Sequence, residues 1–415
     1  MSQKPVPETE RVGGATSPTI GDVVTVDVGA PVAGGQCISR RDGQVIFVRD
    51  AVPGERVAVQ ITGSGKKGAF LRGEVREVFE PSPHRVQAPC SLAQECGGCD
   101  WQHVDLGFQR ELKAAVIIDA LQRTGGVSEI AGIPLTASVR VEALDDGDGL
   151  HWRTRMRFAV DGDGTIGLRA GRSHRIIPAA DCPLAVPEIA AAIPANLTQK
   201  DRRHFKDGVV AVASNTGQVE LVGASAVDLL TERVMNREFQ VAANGFWQVH
   251  PRAPETLVNT VLELAEPKHG DKVIDLYSGV GLFAAFLAEA VGVTGRVDAV
   301  EGDRIASRLA KDNLHDLAWV HHHHAPVEKW LGAGHRSHAD VVVLDPPRAG
   351  AGDVVVKAVT RRKPRAIVYI ACDPVSLARD TKYLAGFGYS LTHLRAFDLF
   401  PMTKHVESVA LFARD

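Results

Sequence analysis

Lys272-Val-Ile-Asp-Leu-Tyr-Ser-Gly-Val-Gly281 is the stretch that decides the fold of the second half of the chain. Its first residues form an apolar strand pattern, and residues 282–289 continue directly with helical periodicity. The same alternation follows downstream, with a helical pattern at residues 305–314 and strand patterns at residues 296–301, 340–344 and 366–370. Strands that alternate with helices are typical of a doubly wound α/β sheet. We therefore predict a Rossmann-like α/β domain over residues 246–415.

The turn between this strand and this helix has the composition of a cofactor-binding loop. Gly279 and Gly281 permit a sharp turn and let a ligand approach the backbone closely. Glu301 ends the next strand pattern, 20 residues after Gly281, where an acidic side chain can accept hydrogen bonds from both hydroxyls of a ribose. The third glycine of a dinucleotide fingerprint is missing from the residues that follow. The pattern indicates a nucleoside-containing cofactor, and a tight turn without a ligand is the alternative.

Three residues with acid, base or nucleophile chemistry follow the later strand patterns. Asp345, in Asp345-Pro-Pro-Arg348, and Cys372 each end an apolar run. Ligands of doubly wound sheets bind beyond the carboxyl ends of the strands, so both side chains should face the cleft. A helix should begin after Asp373-Pro374, and its dipole would favour the thiolate of Cys372. Packing is the alternative for Cys372, and Glu407, before the last strand pattern, would by itself be a solvated charge.

Two segments that contain these residues resemble the catalytic motifs of the RNA 5-methyluridine (uracil-5-) methyltransferases. They are Ile367-Val-Tyr-Ile-Ala-Cys-Asp-Pro-Val-Ser376 and Phe397-Asp-Leu-Phe-Pro-Met-Thr-Lys-His-Val-Glu-Ser408. The resemblance implies that Cys372 is the nucleophile, that Glu407 is the base and that Asp345 holds the uracil edge. Such a pair suits the chemistry, because uracil C5 becomes nucleophilic only after a thiolate has added to C6, and a base must later remove the C5 proton.

The same resemblance implies S-adenosylmethionine as the cofactor, held by a class I loop. Gln248, in Asn244-Gly-Phe-Trp-Gln-Val-His-Pro251, matches the glutamine at the entrance to the family's catalytic domain. The residues implied to line the cofactor are Gln248, Tyr277, Gly279, Gly281, Leu282, Glu301 and Asp345.

Four cysteines form a second candidate site in the middle of the chain. Three of the six cysteines fall within ten residues, as Cys90, Cys96 and Cys99, and Cys182 follows in Asp181-Cys-Pro183. Clustered cysteines in a long chain favour metal over disulfides, and four thiolates can hold a 4Fe-4S cluster or a zinc ion. One subset of the resembled family binds a 4Fe-4S cluster with this pattern, whereas a tRNA-acting subset lacks these cysteines. The resemblance therefore implies an iron–sulfur cluster and favours rRNA over tRNA, with zinc as the alternative metal.

The first part of the chain has the pattern of a small antiparallel barrel, with short apolar runs separated by Gly, Pro and Asp. Residues 43–48 and 52–57 resemble the TRAM domain, an OB-like RNA-binding module. A basic face of this domain would be supplied by Lys66, Lys67, Arg72 and Arg76; a solvated surface is the alternative. Cys37 falls inside the barrel pattern and is expected to pack in its core.

The length of 415 residues indicates about three domains. We expect a disordered tail at residues 1–17, a TRAM/OB-like domain at 18–82, a β-rich central domain at 83–245 and the methyltransferase catalytic domain at 246–415. The central domain would carry the iron–sulfur site, and its helix at residues 105–125 is placed to pack on the catalytic domain.

The composition of the chain argues against two classes of protein, those that span a membrane and those that coat nucleic acid without specificity. A chain that is 45% hydrophobic and 23% charged is an ordinary globular protein, and no apolar run reaches the roughly 18 residues of a membrane span. A net charge of −3 argues against a protein that coats nucleic acid without specificity. We expect a cytoplasmic enzyme without an obligate protein partner.

The sequence thus predicts a transfer of a methyl group from S-adenosylmethionine to C5 of a specific uridine in RNA, with 23S rRNA as the favoured substrate. The rival interpretations are a tRNA uracil-5-methyltransferase, an RNA cytosine-5-methyltransferase and a non-catalytic RNA-binding scaffold. The modified nucleotide is not encoded in any pattern of the sequence.

Overall fold

The computed structural model describes residues 18–171, 173–178, 181–194, 198, 201, 203, 205, 208–223, 227–333 and 338–414. The chain forms two units, Met1–Arg85 and Val86–Asp415. The tail predicted at residues 1–17 lies outside the described residues. Within the described part, no helix combines the length and the apolar character that a membrane crossing requires.

The first unit is a six-stranded sheet. Its strands are β1 (Val23–Asp27), β2 (Pro31–Val32), β3 (Gln36–Arg41), β4 (Gln44–Arg49), β5 (Arg56–Ser64) and β6 (Leu71–Glu80). The strand order is β1-β5-β6-β4-β3-β2. The chain just after β1 also bonds β3, because Gly29 N–H donates to Ile38 O at 2.9 Å and Ile38 N–H donates to Ala30 O at 2.9 Å. These bonds join the two sides of the sheet around an apolar core.

The prediction of a purely antiparallel barrel needs one correction, since β4 and β6 pair in parallel. The reason is topological: β5 lies on the far side of β6, so the chain that leaves β4 crosses over and returns in the same direction. Cys37 packs in the core as predicted, with 2% of its surface exposed and its thiol donating to Ala51 O at 3.6 Å. The four predicted basic side chains are all exposed, and the Arg72 guanidinium lies 4.9 Å over the Phe70 ring.

The second unit begins with a helix and several short strands. These elements are α1 (Leu106–Ala120), a π-helical turn (Leu121–Gly125), β7 (Glu129–Ile130), β8 (Ile133–Pro134), α2 (Leu135–Ser138) and β9 (Val141–Glu142). A β-rich region follows, with β10 (Arg155–Val160), β11 (Ile166–Arg169), β12 (Ile176–Pro178), α3 (Pro187–Ala192), β13 (Val209–Ala213), β14 (Val219–Gly223), β15 (Leu229–Val234) and β16 (Arg237–Ala242). Strands β10 to β14 form a five-stranded antiparallel sheet, and β15 and β16 form a hairpin.

The remaining elements build the predicted doubly wound sheet. They are α4 (Ala253–Ala265), β17 (Lys272–Leu276), α5 (Leu282–Val291), β18 (Arg296–Glu301), α6 (Arg304–Asn313), β19 (Val320–His324), α7 (Val327–Gly332), β20 (Val341–Leu344), α8 (Gly352–Thr360), β21 (Ala366–Ala371), α9 (Pro374–Ala385), β22 (Tyr389–Phe397) and β23 (Glu407–Arg414). The sheet order is β19-β18-β17-β20-β21-β23-β22-β9. Strand β23 runs antiparallel between β21 and β22.

The strands of this sheet are apolar on both faces because helices cover both. Val341 and Val343 face one core, whereas Val342 and Leu344 face the other. The second core also receives Ile117 and Leu121, which both have 0% of their surface exposed. Helix α1 therefore packs on the catalytic sheet, and the sheet presents the carboxyl ends of β17, β18, β20 and β21 at one edge.

Candidate active site

A cavity of about 1040 Å³ lies at this edge of the sheet. The sequence-predicted residues that line it are Gln248, Tyr277, Gly279, Glu301, Asp345, Cys372 and Glu407. Each of the four carboxyl ends contributes a residue at or just after its last strand position, which is where ligands of doubly wound sheets bind. The structure does not bring Leu282 to the cavity: its side chain, 7% exposed, joins the core beneath α5. The volume suits a nucleoside cofactor together with a second planar group.

The glycine loop has the backbone geometry that the sequence predicts. Gly279 has φ +56° and Gly281 has φ +94°, both in the left-handed region that favours glycine. A Cβ on Gly281 would lie 2.7 Å from Leu314 Cδ1, whereas a Cβ on Gly279 would meet no atom within 4 Å. Gly281 is therefore required by packing, and the open space beside Gly279 belongs to the cavity.

The Glu301 carboxylate ties the loop to the neighbouring strand. It accepts hydrogen bonds from Gly279 N–H at 2.8 Å and from Asp303 N–H at 2.6 Å. Asp303 caps α6 by accepting from Ile305 N–H and Ala306 N–H at 3.0 and 2.8 Å. Two carboxylates thus mark one end of the cavity, and both are good acceptors for ribose hydroxyls.

Gln248 also lines the cavity and is 8% exposed. It follows Trp247, whose ring packs 5.9 Å from that of Phe239. The next residue, Val249, has its carbonyl held by Thr154, which donates both its N–H at 2.9 Å and its hydroxyl at 3.0 Å. Gln248 therefore lines the cavity from a well-fixed stretch of backbone.

Strand pairing brings Cys372 and Glu407 together. Strands β21 and β23 pair antiparallel, with Ile370 opposite Val409 and Ala371 opposite Ser408. The next residues in this register are Cys372 and Glu407, and opposed residues of antiparallel strands have Cα atoms about 4.5–5.5 Å apart. Glu407 is the first residue of β23 and only 4% exposed. The alternative that Glu407 is a solvated charge is thus excluded, because β23 is buried between β21 and β22.

Burial raises the pKa values of the three candidate catalytic groups. It raises the pKa of Asp345 to about 7 and that of Glu407 well above its usual range, with the Asp345 charge adding to the effect and the Arg348 charge opposing it. Burial also raises the pKa of Cys372 to about 12, with the charges of Glu407 and Asp345 as further causes. The predicted preference of Cys372 for its thiolate form is therefore outweighed, since burial and two carboxylates oppose it.

Two side chains of the cavity wall were not predicted from the sequence. The Arg348 guanidinium lies 3.5 Å from His405 Nε2, and because a guanidinium only donates, Nε2 must accept. Burial, with help from the Arg348 and Lys404 charges, lowers the pKa of His405 to about 4. His405 is thus neutral. The signal in the sequence that could have identified it as a residue of the site is its position two residues before Glu407, because alternate residues of an extended segment share a face.

The four clustered cysteines line a second cavity, of about 340 Å³. Cys90 N–H donates to Gln102 Oε1 at 3.0 Å, and Gly98 N–H points at the Cys96 sulfur at 3.4 Å. The pKa of Cys99 is raised to about 12, first by burial and then by the charges of the other three thiols. Arg153 lines both this cavity and the larger one.

All six cysteines are free thiols. In the described part of the chain, no group of three or more His, Cys, Asp or Glu side chains is arranged to hold a metal ion. The donor set nevertheless fits a metal cluster in its chemistry, because four thiols face one cavity and backbone N–H groups approach the sulfurs of Cys96 and Cys182. Such N–H contacts accompany thiolate ligands of iron–sulfur clusters.

Comparison with known families gives two matches along the chain. Residues 335–415 match the family described as tRNA (Uracil-5-)-methyltransferase, and residues 18–75 match the TRAM domain. The first match contains the three candidate catalytic residues, and the second covers most of the first unit.

Similar proteins extend over nearly the whole chain. A protein of Streptomyces avermitilis named an uncharacterized RNA methyltransferase is 40% identical over 429 residues, which cover 94% of this chain and 98% of that protein. A protein of Bifidobacterium longum with the same description is 36% identical over 421 residues, or 92% and 94% of the two chains. The structure of the Pyrococcus abyssi tRNA (uracil-54, C5)-methyltransferase in complex with S-adenosyl-L-homocysteine is 23% identical, with a TM-score of 0.68 over 94% of this chain and 99% of that chain. That likeness confirms the predicted fold.

Proposed function

The chain belongs to the RNA methyltransferases of the uracil-5 family, and from this membership we propose that it methylates C5 of one specific uridine in RNA through a covalent adduct of Cys372. The observation that carries the proposal is that Cys372 and Glu407 lie at the adjacent ends of the paired strands β21 and β23 and line a single cavity together with Asp345. A nucleophile, a base and a group that can hold a pyrimidine edge are the parts that this reaction needs.

The cofactor end of the cavity supports S-adenosylmethionine. Glu301 and Asp303 would accept hydrogen bonds from ribose hydroxyls, and Tyr277 and Gln248 would flank the rest of the molecule. The open space beside Gly279 would admit the ligand against the backbone. S-adenosylmethionine, when bound, supplies the electrophilic methyl group, and the remaining chemistry falls to residues of this chain.

The residues act on the uracil in a defined order. The uridine must leave its stack, at a cost of a few kcal/mol, because C5 and C6 cannot otherwise be reached. Asp345 holds the uracil edge while the Cys372 thiolate adds to C6, and the electron pair moves to C5. This carbon then takes the methyl group as the sulfonium S–CH3 bond breaks, which leaves S-adenosylhomocysteine. Glu407 removes the C5 proton, and Cys372 leaves by β-elimination. The thiolate is regenerated, and one proton is released for each methyl group that is transferred.

The raised pKa values predict a pH dependence of both rate and stability. Catalysis needs an ionised Cys372 and an unprotonated Glu407, so single-turnover rates should rise as the pH rises from 6 to 9. Stability should change in the opposite sense, because a carboxyl group with a raised folded pKa favours folding only while it is protonated. We expect the contribution of Asp345 to the free energy of unfolding to fall as the pH rises from the usual Asp range toward about 7, the pKa of Asp345 in the folded protein.

Urea denaturation at pH 5.5 and pH 8 would measure this fall in stability, with Asp345→Asn as the matched variant. Asparagine cannot ionise, so the variant should lose part of the pH dependence. An Asp345→Asn variant whose stability changes with pH as much as that of the wild type, or a rate that declines over this range, contradicts the buried, protonated site.

We further propose that Cys90, Cys96, Cys99 and Cys182 hold a 4Fe-4S cluster, with zinc as the rival metal. The support is the convergence of these thiols on one cavity, together with the resemblance of their spacing to the cluster-bearing branch of the family. The methyl transfer moves no net electrons, so the cluster has a structural or RNA-contacting role.

Protein purified without oxygen should therefore be brown and carry roughly four irons per chain. Cys182→Ser should lose the colour and loosen the second unit, because Cys182 closes the longest loop of the site. Cys372→Ala serves as the control and should keep the colour. A colourless wild-type protein with one zinc per chain contradicts the cluster and leaves the methyltransferase proposal intact.

The four-cysteine pattern supports rRNA as the substrate, and 23S rRNA in particular by resemblance. The tRNA alternative has its own support, since both the matched family and the Pyrococcus abyssi enzyme carry tRNA in their descriptions. Mass mapping of rRNA and tRNA from a deletion strain decides between them: one 5-methyluridine should disappear from rRNA. Its loss from tRNA alone favours the rival substrate, and loss of a 5-methylcytidine would favour the cytosine-5 interpretation.

A further inference from the structure

Residues beside the clustered cysteines form hydrogen bonds with the loop that leads to Glu407. We call residues 90–102 the cysteine segment and residues 400–405 the catalytic loop. The carbonyl of Met402 accepts hydrogen bonds from Asp100 N–H at 3.2 Å and from Trp101 N–H at 3.0 Å. The Asp100 carboxylate in turn accepts from Lys404 N–H at 3.3 Å and lies 3.4 Å from Lys404 Nζ. Asp100 directly follows Cys99, so the contact begins one residue from a proposed cluster ligand.

A buried glutamine of α1 also forms hydrogen bonds with this loop and with the cysteine segment. Gln109, 0% exposed, accepts from Met402 N–H at 2.9 Å. Its amide nitrogen donates to Trp101 O at 3.0 Å and to Val104 O at 2.8 Å. Both backbone groups of Met402 are therefore held by residues at or beside the cysteine segment.

Met402 needs this support because its backbone is strained. Its φ is +66°, in a region that non-glycine residues seldom occupy. Such a conformation is unfavourable and persists only where the surroundings over-determine it. Without the bonds from Asp100, Trp101 and Gln109, the catalytic loop would relax to another conformation.

The catalytic loop carries much of the wall around the proposed uracil site. Phe400, Thr403 and His405 line the larger cavity, and Glu407 follows as the first residue of β23. The cofactor residues Tyr277 and Glu301 come from other parts of the chain, just after β17 and at the end of β18.

We propose that Asp100 is a positioning residue that makes the geometry of the catalytic loop depend on the four-cysteine site. A metal bound by Cys99 fixes the cysteine segment. Backbone N–H groups of that segment then hold Met402, and the Asp100 carboxylate holds Lys404, so that the loop places Glu407 against the uracil. This inference rests on the proposed function for its catalytic consequence, but the mechanical link stands on contacts within the chain.

The test compares Asp100→Ala with Glu95→Ala. Glu95 is a matched control, because it lies in the same segment, one residue from Cys96, and its carboxylate pairs with Arg175 at 2.8 Å on the exposed surface. Asp100→Ala should speed amide hydrogen exchange in the peptide 399–406 and lower kcat by about tenfold to a hundredfold, the usual effect of a misplacement near 1 Å. The KM for S-adenosylmethionine should stay unchanged, and Glu95→Ala should behave as the wild type in all three measurements.

The variant Asp100→Asn distinguishes a loss of positioning from a general loss of folding. Its side-chain oxygen can still accept from Lys404 N–H, so exchange and kcat should lie between those of the wild type and Asp100→Ala. Unchanged exchange or unchanged kcat in Asp100→Ala, with the visible absorption of the cluster intact, would overturn the positioning role.

A second arm tests the link to the metal. Cys90→Ser should lose the visible absorption and should also speed exchange in the peptide 399–406; a bleached variant with unchanged exchange there overturns the link. Amide hydrogen exchange can be measured on a protein without activity. A wild-type protein that fails to methylate RNA would contradict the proposed function, and the exchange measurement would still decide whether the two sites are linked.

Discussion

Replacing Cys372 by alanine is expected to lower the rate of methyl transfer by about four orders of magnitude or more, as the loss of a covalent nucleophile does in other enzymes. S-adenosylmethionine should still bind with nearly unchanged affinity, because the proposed role of the thiol is to bond the uracil and not to hold the cofactor. Purified variant, RNA and labelled cofactor would give the rate, and calorimetry would give the affinity.

Cys37→Ala is the matched control for this experiment. Cys37 is also a buried thiol, but it lies in the first unit and only packs there. That variant should lose some stability and keep its activity. Measurable turnover by Cys372→Ala would rule out Cys372 as the nucleophile.

Replacing Glu407 by glutamine should trap a covalent protein–RNA adduct. Glutamine has nearly the same shape but cannot accept the C5 proton, so elimination of Cys372 should be blocked and turnover should fall by about a hundredfold to ten-thousandfold. The first addition should not suffer, because the Glu407 charge raises the pKa of Cys372 and its removal makes the thiolate easier to form.

The adduct should survive a denaturing gel and appear as a species of slower mobility. The double variant Cys372→Ala, Glu407→Gln is the control and should form none. Normal turnover by Glu407→Gln without any adduct would reduce Glu407 to a structural residue.

The sequence predicts those parts of the site that sit on local patterns. The glycine turn, Asp345 and Cys372 each follow an apolar strand pattern, and the rule for doubly wound sheets places all of them at one edge. The structure brings them together there because β17, β20 and β21 are neighbours and run parallel.

The burial of Glu407 is a feature that local sequence patterns do not predict. Taken alone, its residues indicate a surface charge, and its interpretation as a base came from the resemblance. Its burial results from the insertion of β23 between β21 and β22, a long-range event that no local periodicity encodes. The pKa of Cys372 has a related explanation: it is raised first by burial and then by the charges of Glu407 and Asp345, which come from distant strands, whereas the helix dipole considered in the sequence is local.

The hydrogen bond between Asp100 and Lys404 was likewise not predicted from the sequence. The two residues lie 304 positions apart, and each belongs to a motif that was interpreted on its own. Only the tertiary structure shows that the cysteine segment and the catalytic loop share hydrogen bonds, which is why a dependence of one site on the other was not predicted.

The most direct test of the central claim is tritium release from RNA that carries 5-tritiated uridine. Total RNA from a deletion strain, labelled in this way, would be incubated with the protein and S-adenosylmethionine, and released tritium would be compared with incorporated methyl groups. Methylation of uridine C5 predicts one tritium released for each methyl group transferred, and none with Cys372→Ala. Methyl incorporation without tritium release would place the methyl group on another atom and contradict the account.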